Sequence, residues 1–282
     1  RTSYNWPSIQ PPTCTSDRRF SVIQLQTNCQ SVLAVPRTAM KAAAATAPPA
    51  TASRALGART LAVHLLAVTA TALVLLWCIG FRGGLAFRSA NKQQIFNVHP
   101  PLMLIGFLVI GGEAILAYRV PLRSTATRAA RKKAHLAMHA LALAVAGVGV
   151  YAVFKYHAET KIPNLYSLHA WLGIATVALY AVQWLAGFLA FFFPGAAPET
   201  RRAAVPWHAV AGILVFALAV GTAQLGFLEK MTFLQTAHLV SKYGAEALLV
   251  NCTAVVVLLL GVAVVLATVD VDKTRHAADV AV

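Results

Sequence analysis

Acidic side chains are the scarcest component of this chain. Nine Asp and Glu stand against 24 Lys and Arg in 282 residues, and charged residues of both signs reach only 12%. A soluble domain carries about twice that charged fraction. Together with 58% hydrophobic residues, this places the chain among membrane proteins. The four cysteines, Cys14, Cys29, Cys78 and Cys252, form no C-x-x-C pair. That spacing excludes a zinc ribbon and covalent c-type haem attachment, and implies no disulfide framework. Cys78 and Cys252 lie in apolar stretches and read as small buried thiols. There is no Gly-rich strand–turn–helix pattern, and no room for one, which argues against a flavin-linked reductase with a nucleotide-binding domain. No alternating ten-residue strands occur, which argues against a membrane barrel. The net charge of +15 is concentrated in the first 60 residues and in Arg119–Lys133. Basic loops beside apolar spans set membrane orientation, so no nucleic-acid partner is expected.

Residues 1–39 mix Ser, Thr, Pro and Gln, with Asp17 as the only acid, and hold no apolar core of secretory-signal length. Two readings compete. One is an organellar transit peptide; the other, preferred, is upstream sequence translated by mistake ahead of a start at Met40. Residues 1–55 are expected to be a disordered leader without a core of its own. Six apolar stretches follow, each near or above the roughly 20 residues that a helix needs to cross hydrocarbon. They fall at about 60–81, 97–118, 134–155, 167–191, 206–228 and 245–268. The expected fold class is all-α: an integral membrane six-helix bundle over 56–268, followed by a cytoplasmic tail at 269–282. Arg119, Arg123, Arg128, Arg131, Lys132 and Lys133 share one connection without an acid. It is the strongest cytoplasmic signal and puts both termini in the cytoplasm. Arg82, Arg88 and Lys92 in the first connection pull mildly the other way.

Four central stretches each carry a histidine near the end where they begin: His99, His135, His169 and His208. Consecutive spans run in opposite directions, so His99 and His169 share one membrane face, and His135 and His208 the other. At 1.5 Å per residue, roughly 20 residues of span set the two levels about 30 Å apart. Ionisable residues inside spans are costly and mark function, and four in register outweigh the reading of headgroup histidines. A neutral imidazole is a good ligand for haem iron, and a bis-histidine site leaves no open position for dioxygen. The pattern therefore points to two stacked metal centres and transmembrane electron transfer. His99 to His135 spans 36 residues and His169 to His208 spans 39, which suggests two helical hairpins related by approximate two-fold symmetry. His135 and His139 are four apart and share a face, so either can serve as ligand. His64 has no partner at matching depth and reads as packed or hydrogen-bonded. His238 and His276 read as loop and tail residues. Glu113, beside Gly111 and Gly112, reads as a helix-packing polar contact. The rival function is a haem-free membrane transporter with a histidine proton relay, disfavoured because its site would lie at the midplane between broken helices. A respiratory di-haem cytochrome is disfavoured because no span carries histidines more than four apart.

The stretches FNVHPPLMLIGFLVIGGEAILAYR (96–119), KKAHLAMHALAL (132–143), YSLHAWLG (166–173), PWHAVAGI (206–213) and FLEKMTFLQ (227–235) resemble the cytochrome b561 family. WCIGFRGGLAF (77–87) and YGAEALLVN (243–251) narrow the resemblance to its plant ascorbate-dependent members, the transmembrane ascorbate ferrireductases. The resemblance runs from about Leu61 to Thr268, and nothing before Met40 takes part. It implies a six-helix homodimer with two b haems in the four central helices. Electrons would pass from cytoplasmic ascorbate to monodehydroascorbate or a ferric chelate on the other side. The resemblance assigns the non-cytoplasmic haem to His99 and His169 and the cytoplasmic haem to His135 and His208, favouring His135 over His139. It also implies residence in the vacuolar membrane or another endomembrane, which a genuine transit peptide would shift toward a plastid.

Ascorbate is a monoanion at neutral pH, so its dock needs cations near the cytoplasmic haem. Lys132, one turn before His135, and Arg201, just before span five, match basic positions that the family uses. Arg128 stands where plant relatives often have lysine, keeping the charge with a different geometry. Arg131 and Lys133 read as orienting charges only. On the far side, His157 and Tyr166 match positions associated with the acceptor, and Tyr156 stands where relatives often have Phe. A histidine there takes up a proton or contacts ferric iron.

Overall fold

The structure is a computed structural model that describes residues 49–118 and 127–279, with side chains placed over 57–118 and 127–268. Met40, Cys14, Cys29, Arg119 and Arg123 lie outside the described residues, as does the side chain of His276. Every regular element among the described residues is a helix. α1, Pro49–Leu76, runs on into a π-helical turn, Trp77–Phe81. α2, Gln93–Leu116, is built from short pieces around a π-helical segment, Leu104–Ile110. α3 is Arg128–Thr160, α4 Leu168–Phe191, α5 Pro198–Thr236 and α6 Ala245–Asp279. All six are long and apolar enough to cross a bilayer, which makes this an integral, multi-pass membrane protein.

The helices outrun the apolar stretches that announce them. α3 begins at Arg128, where 134 was expected, and α5 begins at Pro198 and passes through Pro206, where 206 was expected as the start. Hydropathy marks the lipid, whereas helix ends are set by hydrogen bonding and propensity, and Arg, Lys and Ala sustain a helix well beyond hydrocarbon. α6 likewise continues past 268. Caps fix other ends. Thr127 accepts the Ala130 N–H at 3.2 Å at the start of α3, and Ser167 accepts the Ala170 N–H at 3.2 Å at the start of α4.

α1 lies along α6, α2 along α3 and α4 along α5. The seam of the first pair is readable residue by residue. Val63, Ala67, Ala70 and Val74 on α1 and Trp77 at the start of the turn that continues it are buried, opposite Val250, Thr253, Val257, Leu260, Val264 and Ala267 on α6. Spacings that alternate between three and four keep one narrow stripe facing a partner at a shallow crossing angle. Small residues on that stripe let the backbones close up, which is how helices associate where lipid removes any hydrophobic drive between them. Leu65, Val68, Val182 and Leu214 point outward and are exposed, as a lipid-facing surface requires. The buried hydroxyls of Thr176, Thr253 and Thr268 donate to the carbonyls of Leu172, Leu249 and Val264 four residues back, so none of the three is stranded in hydrocarbon. Between α2 and α3 the contact is closer still: a Cβ on Gly106 would stand 2.9 Å from the Ala142 carbonyl oxygen.

The first connection is tied down from within. Gly83 and Gly84 take positive φ values of 79° and 101°, which turn the chain back as only glycine does cheaply. The Asn97 amide, 2% exposed, donates to the carbonyls of Arg82 at 2.9 Å and Gly84 at 2.8 Å, two residues before His99. Arg82 makes a two-pronged ion pair with Glu246 of α6, and Trp77 Nε1 donates to the same carboxylate at 2.8 Å. Breaking one half of a largely buried ion pair leaves an uncompensated charge and costs about 3–5 kcal/mol. Glu246→Gln is therefore expected to lower the thermal midpoint of the protein in detergent clearly, while Glu159→Gln, at a solvent-exposed pair with Lys92, leaves it nearly unchanged. Equal midpoints would show that the Arg82 pair contributes nothing net.

Candidate functional site

The four histidines meet in the expected pairs. His99 of α2 faces His169 of α4 with ring centroids 6.2 Å apart, and His135 of α3 faces His208 of α5, also at 6.2 Å. The first pair lies at the end of the bundle where α2 and α4 begin, and the second at the opposite end.

Each ring is held by the neighbouring helix of its own hairpin. His99 Nδ1 lies 3.0 Å from the Gly149 carbonyl oxygen on α3, and His135 Nδ1 lies 2.8 Å from that of Ala114 on α2. His169 Nδ1 lies 3.0 Å from the Thr222 carbonyl oxygen on α5. A carbonyl only accepts, so these three rings carry their proton on Nδ1 and leave the Nε2 lone pair free for a metal. The fourth ring departs from the rule. His208 Nδ1 meets the side-chain amide of Gln183 on α4 at 3.0 Å, and that amide also donates to the His208 carbonyl at 2.7 Å.

A common register underlies these contacts. Gly149 follows His135 by 14 residues, Thr222 follows His208 by 14, and Gln183 follows His169 by 14. In each hairpin the support for one histidine thus stands four turns beyond the other. Ala114 follows His99 by 15, and the π-helical segment Leu104–Ile110 lies between them and absorbs the extra residue, as π-bulges do. Glycines repeat the same symmetry. A Cβ on Gly187 would stand 2.8 Å from His208 Cε1, and one on Gly226 would stand 2.8 Å from His169 Cε1. Each glycine follows the histidine of its own helix by 18 residues, or about 27 Å, which agrees with the expected separation of the two levels. This H-x17-G spacing, present in both α4 and α5, is a signal in the sequence that histidine spacing alone misses.

His139, the alternative ligand, has a side-chain partner where the other rings have main-chain carbonyls or Gln183. Its Nδ1 lies 2.5 Å from the Tyr180 hydroxyl, and Tyr180 stacks on Phe107 with centroids 4.5 Å apart. His64 is hydrogen-bonded, as expected, with Nε2 3.1 Å from Glu113 Oε2. That contact also accounts for Glu113, which is half-buried.

The residues suggested for the acceptor side come together. His157, Tyr156 and Tyr166 line one cavity of about 240 Å³ with His99 and His169. His157 donates from Nδ1 to Asn164 Oδ1 at 3.0 Å and stacks against Tyr166. Tyr156 packs edge-on against Phe96 at 5.4 Å, and Phe96 lies 6.3 Å from His99, so aromatic rings connect the cavity mouth to the histidine pair. Burial first, then the Glu229 carboxylate and Tyr156, push the Tyr166 phenol above its usual range, so it stays protonated at neutral pH. Asn164, Glu229 and Lys230 also line this cavity; none was singled out as a site residue from the sequence, although Glu229 and Lys230 lie in the FLEKMTFLQ stretch.

At the other end, Arg128, Lys132, His135 and His139 follow one another at spacings of four, three and four along α3 and share a face. Arg201 precedes His208 by two turns. Arg128 is exposed, whereas Lys132 and Arg201 are half-buried, with Lys132 Nζ 5.6 Å from the centre of the Phe192 ring at the end of α4. Arg131, read as an orienting charge, turns its Nε inward, where it is buried without a hydrogen-bond partner.

Residues 98–234 match the family model for eukaryotic cytochrome b561. The chain is 55% identical over 200 residues to the ascorbate-specific transmembrane electron transporter 1 of Zea mays, covering 71% of this chain and 84% of that protein. It is 51% identical over 198 residues to the transmembrane ascorbate ferrireductase 1 of Arabidopsis thaliana, covering 70% and 81% respectively. This chain belongs to the cytochrome b561 family, a haem-binding family of membrane proteins.

Because the Gly226 position touches the His169 ring, Gly226→Ala is expected to displace that ring and weaken haem binding at its level about tenfold, or ~1.4 kcal/mol. Gly221→Ala on the same helix, where a Cβ meets nothing within 4 Å, is the control and keeps full haem content. Equal haem per chain in the two variants would contradict the close contact.

Proposed function

We propose that this chain is an ascorbate-dependent transmembrane oxidoreductase that carries single electrons between two b haems. One haem is held by His135 and His208 on the cytoplasmic side, the other by His99 and His169 on the opposite side. The supporting observation is the geometry of the pairs. Two imidazoles that share a metal ion at nitrogen–metal bonds of about 2 Å have ring centres roughly 6 Å apart, and both pairs stand at 6.2 Å. No group of three or more His, Cys, Asp and Glu able to hold a bare metal ion gathers among the described residues. Two donors per site suit a porphyrin, which supplies the remaining ligands. Haem held in this way supplies a one-electron couple with no open coordination position.

The protein's own residues then divide the work. Arg128, Lys132 and Arg201 attract the ascorbate monoanion to the His135/His208 end, where it gives up one electron and one proton. Carbonyl-bound Nδ1–H groups hold three of the four ligand rings in the metal-binding tautomer and raise their basicity. At the far end, His157 is held by Asn164 with its Nε2 free, beside Tyr156 and the protonated Tyr166. It serves an acceptor that is either monodehydroascorbate, which takes an electron and a proton, or a ferric chelate, which takes an electron alone. The reading includes a homodimer in the vacuolar membrane or another endomembrane, with both termini cytoplasmic.

The test is the visible spectrum of the purified protein when oxidised, after ascorbate and after dithionite, with haem quantified. Two haems per chain, largely reduced by ascorbate, are expected. His169→Ala should lose one haem and keep ascorbate reduction of the other; two haems per chain in that variant would sink the pairing. Lys132→Ala combined with Arg201→Ala should slow ascorbate reduction roughly tenfold or more, the loss of about 1.4 kcal/mol of attraction, with dithionite reduction intact. Unchanged ascorbate kinetics would reduce these cations to an orienting role.

A further inference from the structure

The cavity beside His99 and His169 contains a cation that the proposed mechanism does not use. Lys230 follows Gly226 by one helical turn, which puts it on the face of α5 that meets His169. Its Nζ sits 3.9 Å from the centre of the Phe96 ring and donates to Gln93 Oε1 at 3.3 Å. Both partners are neutral. The carboxylates nearby are committed: Glu246 to Arg82 and Trp77, and Glu229 to the Ser167 hydroxyl at 3.0 Å. A lysine drawn into an apolar, aromatic wall gives up hydration that a ring face and one amide replace only in part. Neither carboxylate is among these contacts of Nζ, and the cavity is where an anion that does touch it would enter.

We propose that Lys230 anchors a carboxylate of the haem held between His99 and His169, a propionate group. The proposal rests on the di-haem reading. It gives Lys230 a second consequence. A fixed positive charge beside a haem favours the ferrous state over the ferric one, because reduction removes a positive charge from the iron. Lys230 would therefore raise the potential of this centre and make it a better electron acceptor than it would be without the cation. It is a positioning residue, and removing it changes an equilibrium rather than abolishing a step.

The experiment is a spectroelectrochemical titration of both haems in the full-length wild type, Lys230→Met and Lys230→Arg, with haem per chain measured in each. Lys230→Gln, which keeps a polar end within reach of Gln93, is the second neutral variant should Met disturb folding. In the neutral variants, the haem lost in His169→Ala is expected to shift about tenfold toward the ferric state, ~59 mV for a one-electron couple. The other couple should stay in place, and Arg should restore most of the shift. Loss of that haem alone in the neutral variants, with retention in Lys230→Arg, supports the same assignment. Two unmoved couples with a raised KM for a ferric chelate would overturn it and give the cation to the acceptor instead. Absence of haem from the wild type is a failure of the underlying di-haem reading and is visible before any variant is made.

Discussion

The orientation of the histidine rings depends on how closely each helix approaches its hairpin neighbour. A ring that takes its Nδ1 partner from the main chain of another helix has to stand within about 3 Å of it, the reach of a hydrogen bond. That requirement propagates outward. It asks for glycine at Gly187 and Gly226, where any side chain would meet a ring. It asks for a 14-residue register in both hairpins, and for an adjustment in α2, where the count is 15 and a π-helical segment intervenes. Main-chain carbonyls are robust supports because side-chain substitution does not remove them. Gln183 is the exception, so the His135/His208 level alone depends on a side chain for the orientation of one of its rings.

The two ends of the bundle differ in character. Where α3 and α5 begin, the surface is basic and offers exposed or half-buried cations one and two turns from the histidines, the setting proposed above for capture of a small anion. Where α2 and α4 begin, the histidines stand at the back of a cavity walled by aromatic rings, with polar groups at its mouth: His157, Asn164, Tyr166 and Glu229. Between the levels, Phe107, Tyr180 and His139 form a packed polar–aromatic contact. The α1/α6 seam carries none of this chemistry. It closes the side of the bundle, and through Arg82 and Glu246 it clamps the connection that leads to His99.

The large-scale architecture was legible in the sequence because it follows from two periodicities. Apolar run length marks the six spans, and strict alternation of direction sorts four histidines into two faces. Helix ends were not legible, since a basic, Ala-rich segment remains helical beyond the lipid, as at Arg128–Lys133. The fate of single polar residues was not legible either, because their partners lie on other helices. Nothing in the neighbourhood of Gln183, Asn97 or Glu246 announces His208, the first connection or Arg82. The Tyr180 partner of His139 was equally out of reach of reasoning on spacing. The direction of the Arg131 side chain was not legible for the same reason, since charge patterning assigns a side to a residue but not a direction to its side chain. Within the candidate site, histidine spacing was a strong signal, whereas the supporting glycine and 14-residue registers needed the structure to reveal which repeats mattered.

The most direct test of the central claim, that the two histidine levels form one path across the membrane, is vectorial. The protein is reconstituted into vesicles loaded with ascorbate, with membrane-impermeant ferricyanide outside, and the disappearance of external ferricyanide is followed. The account predicts reduction outside at a rate proportional to the protein present, and none in protein-free vesicles with the same internal ascorbate. Haem at both levels that becomes reduced from within, while external ferricyanide stays oxidised, would contradict it.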